Sequence, residues 1–324
     1  MSHSSLRSET PHEVGDADAR RELLGRLVDD AGLFPPARRT LADALAVHER
    51  TLASDAAWMV GRFVVPASRF AELAQARATN DDVLSVTVVI DAPAFDEAAL
   101  SALAHAGQSQ DRVRLEALEV PLARVAIGSS DDDRLQSLER QLRNAQFPSL
   151  QFVYVELPQA PEASAAALRA LHRTRERGST LCAKVRLGGL EAAAVPAATD
   201  VAQLLWEAAR LRVPFKATAG LHHPVRCDDA ALGTQVHGFL NVFGGAALVW
   251  ARGLDRATLA ELVADRCADN FSLDERRFMW RGIGCDAHEL HQARSEFAHA
   301  FGSCSLDEPV AGLRELAMFP AAAR

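Results

Sequence analysis

Lysine is nearly missing from this chain. Of its 35 basic residues two are lysine, Lys184 and Lys216, and the rest are arginine. The formal net charge of -8 is spread over short mixed runs, with no basic stripe and no interleaving of basic with aromatic residues, so nucleic acid is not expected as a partner. The five cysteines, Cys182, Cys227, Cys267, Cys285 and Cys304, are scattered and form no C-x-x-C pair, which argues against a disulfide framework and a thiolate zinc site. No apolar run reaches the roughly 18 residues of a membrane span, and Met1 to Arg21 lacks the apolar core of a signal peptide. A cytoplasmic protein with no membrane partner is the expectation. No Gly-rich dinucleotide or phosphate fingerprint follows an early strand, which disfavours an open doubly wound sheet.

With 48% hydrophobic and 24% charged residues, the chain has the composition of an ordinary globular protein with a large core. Short β-rich apolar runs alternate with helical patterns. The strands are expected at Ala31 to Phe34, Gly61 to Val65, Val83 to Asp91, Val113 to Val120, Gln151 to Leu157, Leu181 to Leu187, Val213 to Leu221 and Phe239 to Val249. They are nearly continuous apolar runs, as in a parallel sheet covered by helices. Eight such units predict an α/β fold, a (β/α)₈ TIM barrel over residues 21–269. A flexible polar tail, 1–20, precedes it, and a C-terminal helical extension, 270–324, with a helix near Ala287 to Ala300, is expected to pack on it.

Reactive groups in such barrels come from the C-terminal ends of strands and the loops that follow. The polar residues there are Asp29 and Asp30, Asp91, Glu116 and Glu119, Tyr154 and Glu156, Lys184 and Arg186, Lys216 and Thr218, and Asn241. Alternation places Tyr154 with Glu156, Lys184 with Arg186, and Lys216 with Thr218 each on one face of its strand. That face must point into the barrel, because a charge in the apolar strand–helix layer would cost several kcal/mol.

Both lysines fall on neighbouring strands of a chain that otherwise uses arginine. Arginine cannot serve as a neutral amine, so these two positions are candidates for a nucleophile or base. A Schiff-base amine needs a pKa about 3 units below that of free lysine. A second ammonium about 5–6 Å away would supply roughly 3 kcal/mol of that at an effective dielectric near 20. The competing expectation is that each lysine forms an ion pair with Glu119, Glu156 or Asp91 and carries no chemistry.

Ala183-Lys184-Val185-Arg186-Leu187-Gly188, Pro214-Phe215-Lys216-Ala217-Thr218-Ala219-Gly220, Phe243-Gly244-Gly245-Ala246 and Val153-Tyr154-Val155-Glu156 resemble, in order and placement, strands five to eight of class I aldolases of the deoxyribose-phosphate aldolase family. The resemblance covers about half the chain. It implies a lyase that forms a lysine Schiff base, with Lys184 as nucleophile, Lys216 lowering its pKa, and Glu119 (or Glu116) replacing the family's aspartate in proton transfer beside Glu156. The Thr-Ser-Thr-Gly that follows the family's nucleophile is Val185-Arg186-Leu187-Gly188 here, while Lys216-Ala-Thr-Ala-Gly is closer to that signature, so the two lysines are open to exchange of roles. The family's Gly-Gly phosphate loop is replaced by Gly220-Leu221-His222-His223-Pro224, which points away from a phosphorylated sugar and toward another small anionic or carbonyl-bearing substrate. No cofactor and no metal are expected.

Substrate contacts are expected from Arg186, Tyr154, Thr218, His222, His223, Asn241, Gly244, Gly245, Asp30 and Asp91. A homo-oligomer is compatible with the pattern. Two other functions compete: a metal-dependent hydrolase or isomerase built from Glu119, Glu156 and His222 or His223, and a noncatalytic barrel acting as a binding module. Gly302-Ser303-Cys304-Ser305 reads either as a reactive thiol or, with Ser305 and Glu308 as a capping box, as a helix start.

Overall fold

The computed structural model describes residues 17–91, 96–108, 111–125 and 130–320; residues 1–16, most of the expected tail, lie outside them. Eight parallel strands close a barrel. In chain order these are Val28–Asp30, Val60–Pro66, Leu84–Val89, Val113–Pro121, Phe152–Glu156, Cys182–Arg186, Phe215–Thr218 and Ala298–Ser303. Each of the first seven pairs with the next, and the eighth closes the barrel by pairing with the first. The fold is the expected α/β TIM barrel.

The eighth strand is not where the sequence pattern puts it. Phe239 to Val249 is helical, with a π-helical turn at Leu240–Gly244 running into an α-helix, Gly245–Arg252. Every side chain from Leu240 to Val249 is buried, and a segment buried on all sides has no polar face from which period 2 and period 3.6 can be told apart. Gly244 and Gly245 serve this packing: a Cβ on Gly244 would stand 2.1 Å from the Phe278 ring, and one on Gly245 3.0 Å from Leu262. The true last strand, Ala298–Ser303, comes from the stretch read as a helical extension, so residues 270–324 are not an appendage to a completed barrel. The helix expected near 287–300 ends at Glu296, and the chain then enters the barrel wall. Between strands seven and eight lie a hairpin (Cys227–Asp229 with Thr234–Val236) and a three-stranded antiparallel sheet, Phe271–Leu273, Arg277–Trp280 and Ile283–Asp286.

The first strand also sits earlier than expected, at Val28–Asp30, and Ala31 to Phe34 form a turn closed by the Phe34 amide on the Ala31 carbonyl. This places Asp29 and Asp30 within the strand, where adjacent side chains face opposite ways. The main apolar core is the layer between strands and helices, including Leu23, Phe63, Leu118, Leu168, Leu205 and Phe301. Inside the barrel, Ala117, Tyr154 and Cys182 form a separate small cluster with Phe152 packed against it. This cluster is the floor on which the charged residues stand.

Candidate functional site

Register brings the charges together. Strand pairing sets Glu156 beside Lys184 and Lys184 beside Lys216, and all three side chains face the barrel axis. Glu119 reaches in from the fourth strand and Asp29 from the first. The result is one chain of alternating charge. Lys216 Nζ is 2.5 Å from Asp29 Oδ2 and 2.5 Å from Glu119 Oε1. Glu119 Oε2 is 2.7 Å from Lys184 Nζ, and Lys184 is 2.6 Å from Glu156 Oε2. Arg186 Nη2 then meets Glu156 Oε1 at 3.2 Å. Three cations and three carboxylates alternate, so the network is neutral as a whole.

The sequence reading set two ammonium groups side by side; the structure interposes a carboxylate. Glu119 lies between them and bonds to both. Burial by itself favours the neutral amine of Lys216, but Asp29 and Glu119 outweigh it and raise its pKa above the ordinary lysine value. Burial likewise opposes ionisation of Glu119, yet Lys184 and Lys216 overcome it and hold the carboxyl at about 2. Glu156 is also held below the usual range, against its burial, by Lys184 and then Arg186. Lys216 therefore belongs to a closed ion-pair set with Asp29 and Glu119.

Exposure distinguishes the two ends of the chain. The side chains of Lys216 and Asp29 have no accessible surface, whereas Glu156 keeps 21% and Arg186 36%. Glu156 and Arg186 are the last residues of strands five and six, so this end faces the C-terminal mouth. Lys184, one ion pair inward, keeps 5% of its side chain exposed against none for Lys216.

Below this layer a second polar set holds the other end of the barrel. Arg62 Nε meets Glu116 Oε2 at 3.1 Å, and the Ser85 hydroxyl donates to Glu116 Oε1 at 2.8 Å. Glu116 therefore has its own partners, and of the two glutamates on the fourth strand Glu119 is the one the lysines engage. Tyr154 lies between the layers: its hydroxyl bonds His299 Nδ1 at 3.1 Å, and Lys216 Nζ sits 5.7 Å from its ring centre. Burial, reinforced by Arg294 and Arg62, pushes the His299 pKa down to about 3 and keeps the ring neutral. Burial also lowers Arg294 to about 10; its guanidinium donates to the carbonyls of Leu23, Ala298 and His299, tying the entries of the first and eighth strands together.

The remaining expected residues are dispersed. Asp30 faces outward, where it accepts from the Gly32 amide at 2.9 Å and meets buried His48 Nδ1 at 3.1 Å; its neighbour Asp29 is the carboxylate that enters the lysine chain. Asp91 is exposed and bonds Ser68 through both amide and hydroxyl. Thr218 faces the axis at the end of the seventh strand, in register with Arg186 and Gly302. Asn241, Gly244 and Gly245 are corrected by the helical assignment: Asn241 accepts from the Arg226 amide and donates to the Leu262 and Asp265 carbonyls, a brace between segments and not a substrate contact. His223 is exposed, its carbonyl accepting from the Phe239 amide. His222 faces Glu308 and Cys304. Glu119 and Glu156 flank Lys184, so the set Glu119, Glu156 and His222 or His223 does not assemble; among the described residues no group of three or more His, Cys, Asp or Glu side chains is placed to hold a metal ion.

Sequence reasoning named Asp29 but chose its neighbour Asp30 as the contact, and it passed over His299. The pair Asp29-Asp30 carries its own signal, since one of two adjacent carboxylates in a buried strand must face the axis. His299 was hidden by the displaced eighth strand. No protein-family model matches the chain, and no curated protein is significantly similar to it. Fold and site together define the class: a parallel (β/α)₈ barrel with a lysine–carboxylate chain across its interior. None of the described helices is long and apolar enough to cross a membrane.

Proposed function

We propose that the protein is a class I aldolase-like lyase in which Lys184 forms a Schiff base with a small anionic carbonyl compound. The observation that carries this reading is the position of Lys184 Nζ between Glu119 and Glu156, at 2.7 and 2.6 Å, one ion pair inward from the solvent-facing Glu156 and Arg186. Glu156, the more exposed of the two carboxylates, is within reach to take the ammonium proton, giving a neutral amine beside a neutral acid. The amine adds to the carbonyl carbon, the acid returns the proton to the departing hydroxyl, and water leaves as the imine forms. The same carboxylate then removes a proton, or receives one, at the carbon next to the imine. Arg186 offers a guanidinium at the mouth for an anionic group. Lys216 stays protonated and keeps Glu119 in place.

Borohydride trapping tests this. With pyruvate or acetaldehyde as carbonyl probe, reduction should leave a stable adduct on the peptide containing Lys184, absent in Lys184→Arg. The reading fails if neither probe gives a reducible adduct, or if the adduct maps to Lys216 or the N-terminus. A second reading, in which the charge chain holds the barrel together without chemistry, has the saturation of Lys216 in its favour; it forecasts no adduct and a loss of folding stability alone.

A further inference from the structure

The lysine chain does not use the constellation on the barrel rim formed by Cys304, His222 and Glu308. Cys304 directly follows the eighth strand, His222 lies in the loop after the seventh, and Glu308 is on the helix Asp307–Glu315 that follows the eighth. All three are at the C-terminal end of the strands, where barrel enzymes carry their reactive groups. His222 Nδ1 is 2.6 Å from Glu308 Oε2, and His222 Nε2, on the other side of the ring, is 3.7 Å from Cys304 Sγ. A nucleophile, a base, and an acid orienting that base thus stand in line.

Each member is fixed from outside the set. Arg39, from the loop after the first strand, donates to the Cys304 carbonyl at 2.7 Å, while Ser303 and Ser305 close a tight turn around the cysteine. Ser305 takes the Glu308 amide as a helix-start residue would, but the Glu308 carboxylate turns to His222 instead of completing a capping box. The loop bearing His222 is pressed onto the helix bearing Glu308: a Cβ on Gly312 would stand 2.5 Å from Pro224 Cδ. The groups that face the imidazole are Glu308 and Cys304, and both hold its pKa up against the effect of burial. Cys304 retains 9% of its surface and the His222 side chain 24%.

We infer that Cys304 is a nucleophilic thiol that accepts an activated acyl group, an ester or a thioester, with His222 as its base and Glu308 as the positioning residue. His222 Nε2 takes the Sγ proton, and the sulfur electron pair forms the bond to the acyl carbon. The C=O π pair moves to oxygen and returns as the bond to the alkoxide or thiolate breaks. That leaving group departs with the proton from Nε2, giving S-acyl Cys304 and an alcohol or thiol. These three side chains bond to one another and not to the lysine chain, so the inference stands apart from the Schiff-base reading.

The probe is p-nitrophenyl acetate with the full-length protein. A burst of nitrophenolate near one equivalent is expected, with the acetyl group on the peptide containing Cys304. Cys304→Ser should abolish the burst, and His222→Ala should slow acylation by at least about a hundredfold. Glu308→Gln should move the inflection of acylation rate against pH downward, since the lost carboxylate charge no longer supports the imidazolium, while the thermal midpoint stays put. Independently of any variant, iodoacetamide at neutral pH should alkylate Cys304 faster than the exposed Cys267 in the unaltered protein. Absence of a burst, acetylation elsewhere, or slower alkylation of Cys304 than of Cys267 overturns the inference.

Discussion

The two ends of the ion-pair chain each pair a carboxylate with a cation, yet they differ in what surrounds them. At one end Asp29 and Lys216 are sealed from solvent, and Lys216 is held by two carboxylates at 2.5 Å. At the other, Glu156 and Arg186 meet at 3.2 Å with a fifth and a third of their side chains exposed. A charge in the sealed end has no water to fall back on, so its partners are obligatory. A charge in the open end can exchange its partner for water or for a ligand. The difference separates a strut from a candidate site: Lys216 fixes Glu119 at the sealed end, and Lys184, the proposed nucleophile, lies between the two ends.

Removing one lysine at a time breaks this comparison most sharply. Lys216→Met leaves Asp29, among the described residues, with the Arg62 amide and no cation, and a buried carboxylate so stranded costs about 3–5 kcal/mol. Lys184→Met leaves Glu119 with Lys216 and Glu156 with Arg186, so the loss should be nearer that of charged hydrogen bonds, about 1–3 kcal/mol. Urea unfolding of the two variants measures the contrast. Equal losses would mean that the sealed and open ends are energetically alike.

Acid separates the charged layer from the floor beneath it. His299, with its pKa lowered from 6.5 to about 3, binds a proton more readily in the unfolded chain, so its contribution to stability is complete above pH 6.5 and declines as pH falls toward 3. Glu119, lowered from 4.5 to about 2, contributes fully above pH 4.5 and loses that contribution only as pH falls toward 2, a total of about 3 kcal/mol. His237, lowered to about 4, adds to the first window. Between pH 6.5 and 4.5 the histidines therefore set the slope, with His299 alone supplying about 2–3 kcal/mol across it. His299→Leu should flatten the unfolding free energy against pH in that window while leaving the steeper fall below pH 4.5. An unchanged slope above pH 4.5 would show that the floor does not exclude protons.

The sequence carried the barrel and both lysines because their signals are local. Apolar runs of strand length recur with helical patterns between them, and the scarcity of lysine isolates two positions that fall on adjacent strands. The last strand was not legible for a physical reason: Phe239 to Val249 is more apolar than Ala298–Ser303, and an all-buried helix has no sided pattern. The inner His299 was lost with that strand, and Cys304, read as a reactive thiol or as part of a helix start, was not placed beside His222. Glu119 and Glu156 could be read from alternation, but their joint grip on Lys184 depends on the register of three strands, which no short window contains. The choice between Asp29 and Asp30 turned on where the first strand begins, a shift of a few residues that reverses which carboxylate faces the axis.

Arg186 gives the smallest and most discriminating change. Its guanidinium shares Glu156 with Lys184, but more than a third of the side chain is in solvent, so Arg186→Ala should cost less than about 1 kcal/mol of stability. If Arg186 instead serves an incoming anion, its loss matters when a carboxylate is bound. Trapping of pyruvate at Lys184 should then fall by about 10- to 100-fold at subsaturating probe, the worth of one charged hydrogen bond. Trapping of acetaldehyde, which has no carboxylate, should change little. Equal loss with both probes would make Arg186 a support for Glu156 and Lys184, and the open end of the chain would then be a second strut.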